Sequence, residues 1–220
     1  MVLGWKSFRG GVGPYPKEIY AINCETERVR EYADGEEVVK MNDTNQIALG
    51  QMQRLFKRLK KMKKGRALEL ACGESHVTRH LLKVHFDIID LMDQCEQALE
   101  RAHDLKEECQ QVDKIYPSSF EDFSTNKRYN CIVLRYSAGY LDCDALAMFL
   151  RKLSSMLEKN HENLTRSNPS KSFIIVQDNV QYEDRLGVFE KDMLVRRATT
   201  MERIFDRAGL KVFDSLGPED

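Results

Sequence analysis

Small side chains alternate in a short segment of the chain, where Ala71, Gly73 and Ser75 are each separated by one residue. The segment begins with Glu69 and ends with His76, between a buried-strand pattern and a helix pattern. Small residues at a strand-to-helix turn let a ligand approach the backbone, and the first N–H groups of the helix are free to bind it. Taken alone, this pattern is weak evidence, because small residues are common before any helix.

An acidic side chain, Asp93, follows the next apolar segment along the chain. A carboxylate in this position can accept hydrogen bonds from both hydroxyls of a ribose. The alternative is an N-cap for the helix predicted to begin near Glu96. The spacing from the first turn and the position after a strand favour the ribose interpretation.

An aromatic and an acidic residue, Phe120 and Glu121, follow the third predicted strand. An adenine ring can pack against the aromatic face while a polar neighbour contacts its amino group, although a capped helical turn explains the same residues. Because ligands bind at the carboxyl ends of parallel strands, we expect both residues to lie near Asp93 and the first turn. The sequence therefore indicates an adenosine-containing ligand, without separating a nicotinamide cofactor from S-adenosylmethionine.

The elements that must position these residues alternate between strand and helix patterns. Strands are predicted at residues 67–70, 88–92, 112–115, 131–135, 173–176 and 210–216. Helices are predicted at residues 44–64, 77–83, 96–108, 144–157 and 190–208, and a loop at residues 159–171. This alternation predicts an α/β, Rossmann-like fold with a mostly parallel sheet and helices on both faces.

The first 43 residues are difficult to interpret. Glycines and prolines between positions 10 and 16 indicate a loop, and a short helix is predicted over residues 17–33. We therefore expect an N-terminal extension or cap over residues 1–43 and one α/β domain over residues 44–220.

The composition is that of a globular protein, with 42% hydrophobic and 31% charged residues and a net charge of -1. No apolar run approaches the roughly 20 residues of a membrane-spanning helix, so no membrane association is expected. The start of the chain lacks the pattern of a secretory signal. The six cysteines are scattered without a Cys-x-x-Cys pair, so we expect reduced thiols and a cytoplasmic or nuclear location.

Two further clusters are explained without a specific ligand. Basic residues at positions 57–64 are interpreted either as a nucleic-acid patch or as a solvated helix end that complements the helix dipole, and the second is favoured. Nucleic acid is therefore not the expected partner. His76 and His80 share a helical face, but no third ligand accompanies them, so no metal site is expected.

The ordered series of these motifs resembles the α-N-terminal protein methyltransferases, which modify Xaa-Pro-Lys amino termini. The resemblance covers roughly residues 66–216 and is carried by residues 67–82, 90–93, 121–123, 132–141, 174–179, 203–205 and 208–210. It implies a class I methyltransferase domain over residues 44–220. It also implies S-adenosyl-L-methionine as the cofactor and a protein N-terminal peptide as the substrate.

The resemblance further implies roles for individual residues. The first turn would contact the methionine part of the cofactor, Asp93 its ribose, and Phe120 with Glu121 its adenine. The implied cofactor site consists of Glu69, Ala71, Gly73, His76, Asp93, Phe120, Glu121 and Arg135. The implied substrate site consists of Tyr136, Tyr140, Asp178, Asn179 and Glu190. In catalysis, the Asn179 amide oxygen would orient the amine, and Asp178 would accept its proton directly or through water.

Several positions depart from the family pattern. In the first turn the family has three alternating glycines, of which only Gly73 is retained, and the side chains of Ala71 and Ser75 narrow the space for a cofactor. Other replaced positions are His76, Arg135, Tyr136 and Tyr140.

Two departures near the end of the chain bear on activity. Lys191 stands where the family has an aspartate that helps to accept the proton of the amine, and a lysine repels an ammonium group. Glu190 or Asp192 would have to replace that carboxylate. The family also continues into one more strand, so we expect the last strand to be missing and the sheet to need cover, for example from a protein partner.

Three functional hypotheses follow. The favoured one is an S-adenosylmethionine-dependent methyltransferase acting on the α-amino group of protein N-termini. The second is a catalytically weak or inactive methyltransferase-like subunit that acts through protein partners. The third is a methyltransferase of another substrate, such as RNA.

Overall fold

A computed structural model of this chain describes residues 17–24, 31–33, 36–38, 41–59, 64–158, 172–181, 188–190 and 193–216. The strands within them are β1 (Lys17–Cys24), β2 (Glu31–Ala33), β3 (Glu36–Val38), β4 (Arg66–Leu70), β5 (Ile88–Asp93), β6 (Val112–Pro117), β7 (Cys131–Arg135), β8 (Phe173–Gln181), β9 (Val188–Glu190), β10 (Met193–Arg197) and β11 (Leu210–Leu216). The helices are α1 (Met41–Arg58), α2 (Lys83–His85), α3 (Glu96–Glu108), α4 (Cys143–Met156) and α5 (Ala198–Arg207). A π-helical turn, Thr78–Leu82, leads into α2, and a 3₁₀ turn, Ala138–Tyr140, follows β7.

The main sheet is mostly parallel. Its strands follow the order β11-β1-β8-β7-β4-β5-β6, and all neighbours in this series run parallel. Strand β10 adds to the side of β8 and pairs antiparallel with β9, while β2 and β3 form a separate hairpin. The predicted α/β fold with a mostly parallel sheet is therefore confirmed.

Helices cover both faces of the sheet. Along β7, Ile132 and Leu134 pack into a core with α4 and α5, whereas Cys131 and Val133 pack into a second core with α1 and α3. Because successive side chains of a strand point to opposite faces, one apolar strand supplies both cores. The apolar run of residues 131–134, within the predicted strand 131–135, has this physical origin.

The N-terminal strand β1 lies inside the main sheet, between β8 and β11. Its register places Glu18 level with Phe173 and Cys24 level with Asn179. The predicted short helix over residues 17–33 is therefore wrong, since this segment contains β1 and the start of the β2–β3 hairpin. The chain itself therefore supplies the strand between β8 and β11. That a protein partner covers the sheet stays a prediction, and so does the domain division at residue 43.

The predicted helix over residues 190–208 is wrong in its first part. Met193 to Arg197 form strand β10, and the helix begins only at Ala198. Strand β8 is also longer than predicted and continues to Gln181, where it pairs with β10. Strands β9 and β10 thus form an antiparallel pair where the predicted helix would begin.

The opposite, amino-terminal edge of the sheet contains a buried charged network. The Arg66 guanidinium lies 2.6 Å from the fully buried carboxylate of Asp90 and 2.8 Å from Asp113. The Tyr129 hydroxyl donates to the second Asp90 oxygen at 2.9 Å. This network ties β4, β5, β6 and the start of β7 together on the side away from the ligand-binding edge.

Helix α4 has a side-chain N-cap. Helix α4 begins after Asp142, whose carboxylate accepts hydrogen bonds from two backbone N–H groups of the first turn at 2.9 and 2.7 Å.

The predicted loop at residues 159–171 and the basic residues 60–63 lie outside the described residues. No helix in the described part of the chain combines the length and the apolar character needed to span a membrane.

Candidate cofactor and substrate site

A cavity of about 800 Å³ opens at the carboxyl ends of β4, β5 and β7 and beside the segment that follows β6. All eight residues of the predicted cofactor site line it, namely Glu69, Ala71, Gly73, His76, Asp93, Phe120, Glu121 and Arg135. Tyr136 and Tyr140 of the predicted substrate site also line it. Further lining residues, to which the sequence assigned no role, include Gln94, Ser118, Ser137 and Leu141. Four separate segments therefore meet around one cavity.

Glu69 is the last but one residue of β4, and only 3% of it is exposed. Its Oε2 accepts hydrogen bonds from the Thr78 backbone N–H at 3.0 Å and from the Thr78 hydroxyl at 2.5 Å. Burial raises the pKa of Glu69 to about 7, although the bonds from Thr78 and the charge of Arg135 oppose this shift. The carboxylate thus connects the strand to the start of the following helical segment.

The turn after β4 has a left-handed backbone at every second residue. The φ angles are 47° at Ala71, 50° at Gly73 and 53° at Ser75. Only glycine adopts this region without strain, so the two non-glycine residues store backbone energy here. A Cβ added to Gly73 would meet nothing within 4 Å, which shows that this backbone faces open space. The intervening thiol, Cys72, is buried, and burial raises its pKa to about 12.

Asp93 ends β5 and reaches back to this turn. Its Oδ2 accepts the Gly73 backbone N–H at 2.9 Å, and its Oδ1 accepts the Cys95 backbone N–H at 2.9 Å. The N-cap of α3 is Cys95, so Asp93 does not serve as the N-cap, which was the alternative interpretation of this residue. Each carboxylate oxygen retains a second acceptor position.

Phe120 and Glu121 form the wall that follows β6. The Phe120 ring is half-buried and lies 5.0 Å from the Phe149 ring of α4, in a tilted arrangement. Glu121 is exposed, and its backbone carbonyl accepts a hydrogen bond from the Lys152 ammonium at 3.1 Å. Contacts with α4 therefore fix the aromatic face at the cavity.

Arg135 carries positive charge into the cavity at the end of β7. Its Nε donates to the Gln177 side-chain oxygen at 3.0 Å, and its guanidinium carbon lies 4.8 Å from the centre of the Tyr136 ring. Burial, followed by the charge of Arg135, lowers the pKa of His76. The surroundings of the histidine therefore favour its neutral form. Tyr136 itself has a left-handed backbone, with φ of 49°.

Asp178 and Asn179 lie within β8, on the strand beside β7 and at the same edge of the sheet. They are not among the residues that line the cavity. The backbone N–H groups of Asn179, Ala138 and Gly139 donate to the Asp178 carboxylate, and burial still raises the pKa of Asp178 to about 6. The Asn179 side-chain oxygen is buried and accepts no hydrogen bond from the described residues.

The other residues singled out from the sequence are Glu190, Lys191 and His80. Glu190 is the last residue of β9, and Lys191 lies outside the described residues. The rings of His76 and His80 are 6.1 Å apart. Among the residues that the structure describes, no group of three or more His, Cys, Asp or Glu side chains could hold a metal ion.

A family model described as AdoMet dependent proline di-methyltransferase matches residues 35–217. The chain belongs to this family. The predicted resemblance is thereby confirmed, and the match begins before the residues at which we expected the domain to start.

Individual relatives have related names. The chain is 31% identical over 153 residues to N-terminal Xaa-Pro-Lys N-methyltransferase 1 of Danio rerio, covering 67% of this chain and 62% of that protein. It is 26% identical over 152 residues to alpha N-terminal protein methyltransferase 1 of Dictyostelium discoideum, covering 68% of this chain and 52% of that protein. The matched region thus spans between half and two thirds of these relatives.

Solved structures show the same fold. A SAM-dependent methyltransferase from Leishmania major superposes with a TM-score of 0.64 at 21% identity, over 77% of this chain and 64% of that chain. A SAM-dependent methyltransferase from Clostridium acetobutylicum superposes with a TM-score of 0.54 at 14% identity, over 77% of this chain and 81% of that chain. At these identities the likeness concerns the fold, which is the Rossmann-like fold of class I methyltransferases.

Proposed function

We propose that this chain is an S-adenosylmethionine-dependent methyltransferase that acts on the α-amino group of protein N-termini. One observation carries the proposal. The eight residues implied as the cofactor site come from four separate segments, and all of them line one cavity of about 800 Å³. Membership of the family and the names of the relatives support the choice of cofactor and substrate.

The residues of the cavity fit an adenosine-containing sulfonium cofactor. The volume lies in the range of about 300–1,000 Å³ that is usual for small-molecule sites. Asp93 retains acceptor positions for ribose hydroxyls, and Gly73 leaves the space beside the turn open. Phe120 offers a half-buried aromatic face for adenine, with Glu121 beside it.

The lining has four acidic side chains against one arginine, Arg135, and this balance suits a cationic group. S-adenosylmethionine supplies a methyl group on a sulfonium, which an amine can take by in-line displacement. Glu69 and Asp93 both line the cavity and favour positive charge there when ionised. The rings of Tyr136 and Tyr140 also line it and attract a cation over their faces.

On the substrate side, Asp178 and Asn179 of β8 do not line the cavity, and it is the family resemblance that assigns them to accept the proton of the amine and to orient it. The buried Asn179 oxygen lacks a donor among the described residues, and an amine N–H supplies one. An α-amino group has a reference pKa near 8, so about half of it is already neutral near that pH. With a pKa of about 6, Asp178 is ionised there and accepts the proton directly or through water.

Mass spectrometry of Xaa-Pro-Lys peptides incubated with the chain and S-adenosylmethionine tests the proposal. We expect successive methyl additions at the peptide N-terminus, and a large loss in Asn179→Ala. Asn126→Ala is the matched control, because Asn126 is exposed and does not line the cavity.

Three outcomes would contradict parts of this account. Cofactor binding without peptide methylation would favour an inactive subunit that acts through partners. Methylation of RNA but not of peptides would replace the substrate class. Peptide methylation that is unchanged in Asn179→Ala would refute the assignment of the substrate site.

A further inference from the structure

The 3₁₀ turn Ala138–Tyr140 connects β7 to α4 and forms part of the cavity wall. Tyr140 and Leu141 line the cavity from this turn, together with Ser137, which precedes it. Tyr140 is 62% exposed, so its own packing contributes little to holding its position. The position of this wall therefore depends on what binds the backbone of the turn.

Arg196 of β10 binds the carbonyl groups of the turn. One guanidinium nitrogen donates to the Ala138 carbonyl at 3.0 Å, and the other terminal nitrogen donates to the Leu141 carbonyl. Only 4% of Arg196 is exposed. A buried guanidinium that donates to two carbonyls of one turn fixes both its position and its orientation, because the donor fork is planar and rigid.

Asp178 binds the N–H groups at the start of the same turn. The N–H groups of Ala138 and Gly139 donate to its carboxylate. The turn is therefore bound through its N–H groups by an anion on β8 and through its carbonyls by a cation on β10. These two strands pair with each other, with Arg196 level with Val180, so the two charges have a fixed separation.

Gly139 brings the turn close to β10. A Cβ at this position would lie 3.0 Å from the Met193 Cβ and 3.1 Å from the Leu194 carbonyl oxygen. The absence of a side chain thus permits the close approach that the Arg196 contacts need.

We propose that Arg196 is a positioning residue that holds the Ala138–Tyr140 turn, and with it Tyr140, against the acceptor side of the cavity. Arg196 does not line the cavity and acts through the turn. The inference deepens the proposed function and rests on it for the identity of the acceptor.

The test compares Arg196→Met and Arg196→Lys with the wild-type chain and with Arg203→Met. Arg203 is exposed on α5 and serves as the matched control. Hydrogen exchange of the amides of residues 138–141, S-adenosylmethionine binding by calorimetry, and the KM and kcat for an Xaa-Pro-Lys peptide are measured on each variant.

In Arg196→Met we expect exchange at residues 138–141 to accelerate by about tenfold or more, as the loss of charged hydrogen bonds predicts. The peptide kcat/KM falls by about the same factor, while the cofactor Kd rises by clearly less, because the first turn and Asp93 stay in place and only the wall with Tyr140 is released. Arg196→Lys gives an intermediate result, since an ammonium lacks the planar fork. If Arg196→Met does not fold, Arg196→Lys decides the outcome by the same measurements.

Unchanged exchange at residues 138–141 would overturn the inference, and so would equal losses of cofactor and peptide affinity. A wild-type chain that does not methylate peptides, combined with locally accelerated exchange in the variants, would refute the proposed function while leaving the role of Arg196 in the turn intact. Peptide methylation by the wild-type chain, combined with unchanged exchange in the variants, would support the proposed function and refute the role of Arg196.

Discussion

Glu69→Gln should make the stability of this protein less dependent on pH. The carboxyl of Glu69 has a pKa of about 7 in the folded chain, against an ordinary value of 4.5. Between these values the folded state binds more protons than the unfolded state, so stability falls as the pH rises. The contribution of the protonated group is fully present below pH 4.5 and is lost as the pH passes through 7.

The size of this effect follows from the two pKa values. Each pH unit between them corresponds to about 1.4 kcal/mol, so the ionised, buried Glu69 lowers the free energy of unfolding by about 3 kcal/mol above pH 7. The amide oxygen of a glutamine can still accept both hydrogen bonds from Thr78, which lie at 3.0 and 2.5 Å in the wild-type chain. The substitution therefore removes the charge and retains the local geometry.

Urea unfolding at a series of pH values from 5 to 8 measures the difference. We expect the variant to gain about 2.5 kcal/mol relative to the wild-type chain between pH 5 and pH 8, because part of the effect is already present at pH 5. Asp178, whose folded pKa is also raised, is present in both chains and cancels in the comparison. Glu121→Gln, at an exposed position of the same cavity, is the control substitution. If the free energy of unfolding changes with pH in the same way for Glu69→Gln and for the wild-type chain, the reasoning is refuted.

Three other substitutions test the stability of particular elements by urea unfolding. Ala71→Gly relieves about 1–2 kcal/mol of left-handed strain against about 0.4–1 kcal/mol of added unfolded-chain freedom, so a gain of up to about 1.5 kcal/mol is expected, and a clear loss would contradict it. Arg66→Ala leaves the buried carboxylate of Asp90 without its cation and should cost about 3 kcal/mol; a neutral effect would show that the pair is dispensable. Asp142→Ala removes the N-cap of α4 and should cost about 1 kcal/mol, and an unchanged unfolding midpoint would count against this cap.

The strands at the centre of the sheet could be predicted from local patterns. Residues 131–134 are continuously apolar because β7 is buried on both faces, and the structure places β7 at Cys131–Arg135. The first turn, Asp93, Phe120 and Glu121 could also be predicted, since they follow strands whose ends meet at one edge, whereas Arg135 was implied only by the family resemblance. The cavity accordingly contains every residue implied for the cofactor.

The elements that local patterns do not predict depend on pairing with distant parts of the chain. Strand β1 is held between β8 and β11, and β10 is held by β8 and β9. No local pattern in residues 17–33 or 190–197 reveals these partners. The sequence predicts a helix at both places because the spacing of apolar residues along the chain carries no information about pairing with distant strands.

The geometry of the site contains details that residue types alone do not give. The left-handed backbone at Ala71 and Ser75 can be inferred only because the family has glycines at these two positions. Alanine and serine by themselves rarely adopt this conformation. The role of Arg196 could not be predicted from the sequence, because its partners are backbone carbonyls 55 and 58 residues earlier in the chain. Asp178 and Asn179 were expected after a strand but lie within β8.

Calorimetric titration of the chain with S-adenosylmethionine tests the central claim, that this cavity holds the cofactor. We expect saturable binding to the wild-type chain, weakened by about tenfold or more in Asp93→Ala through the loss of charged hydrogen bonds, and unchanged in Asp104→Ala at an exposed position of α3. The absence of binding at millimolar cofactor, or equal binding to Asp93→Ala and the wild-type chain, would contradict the account.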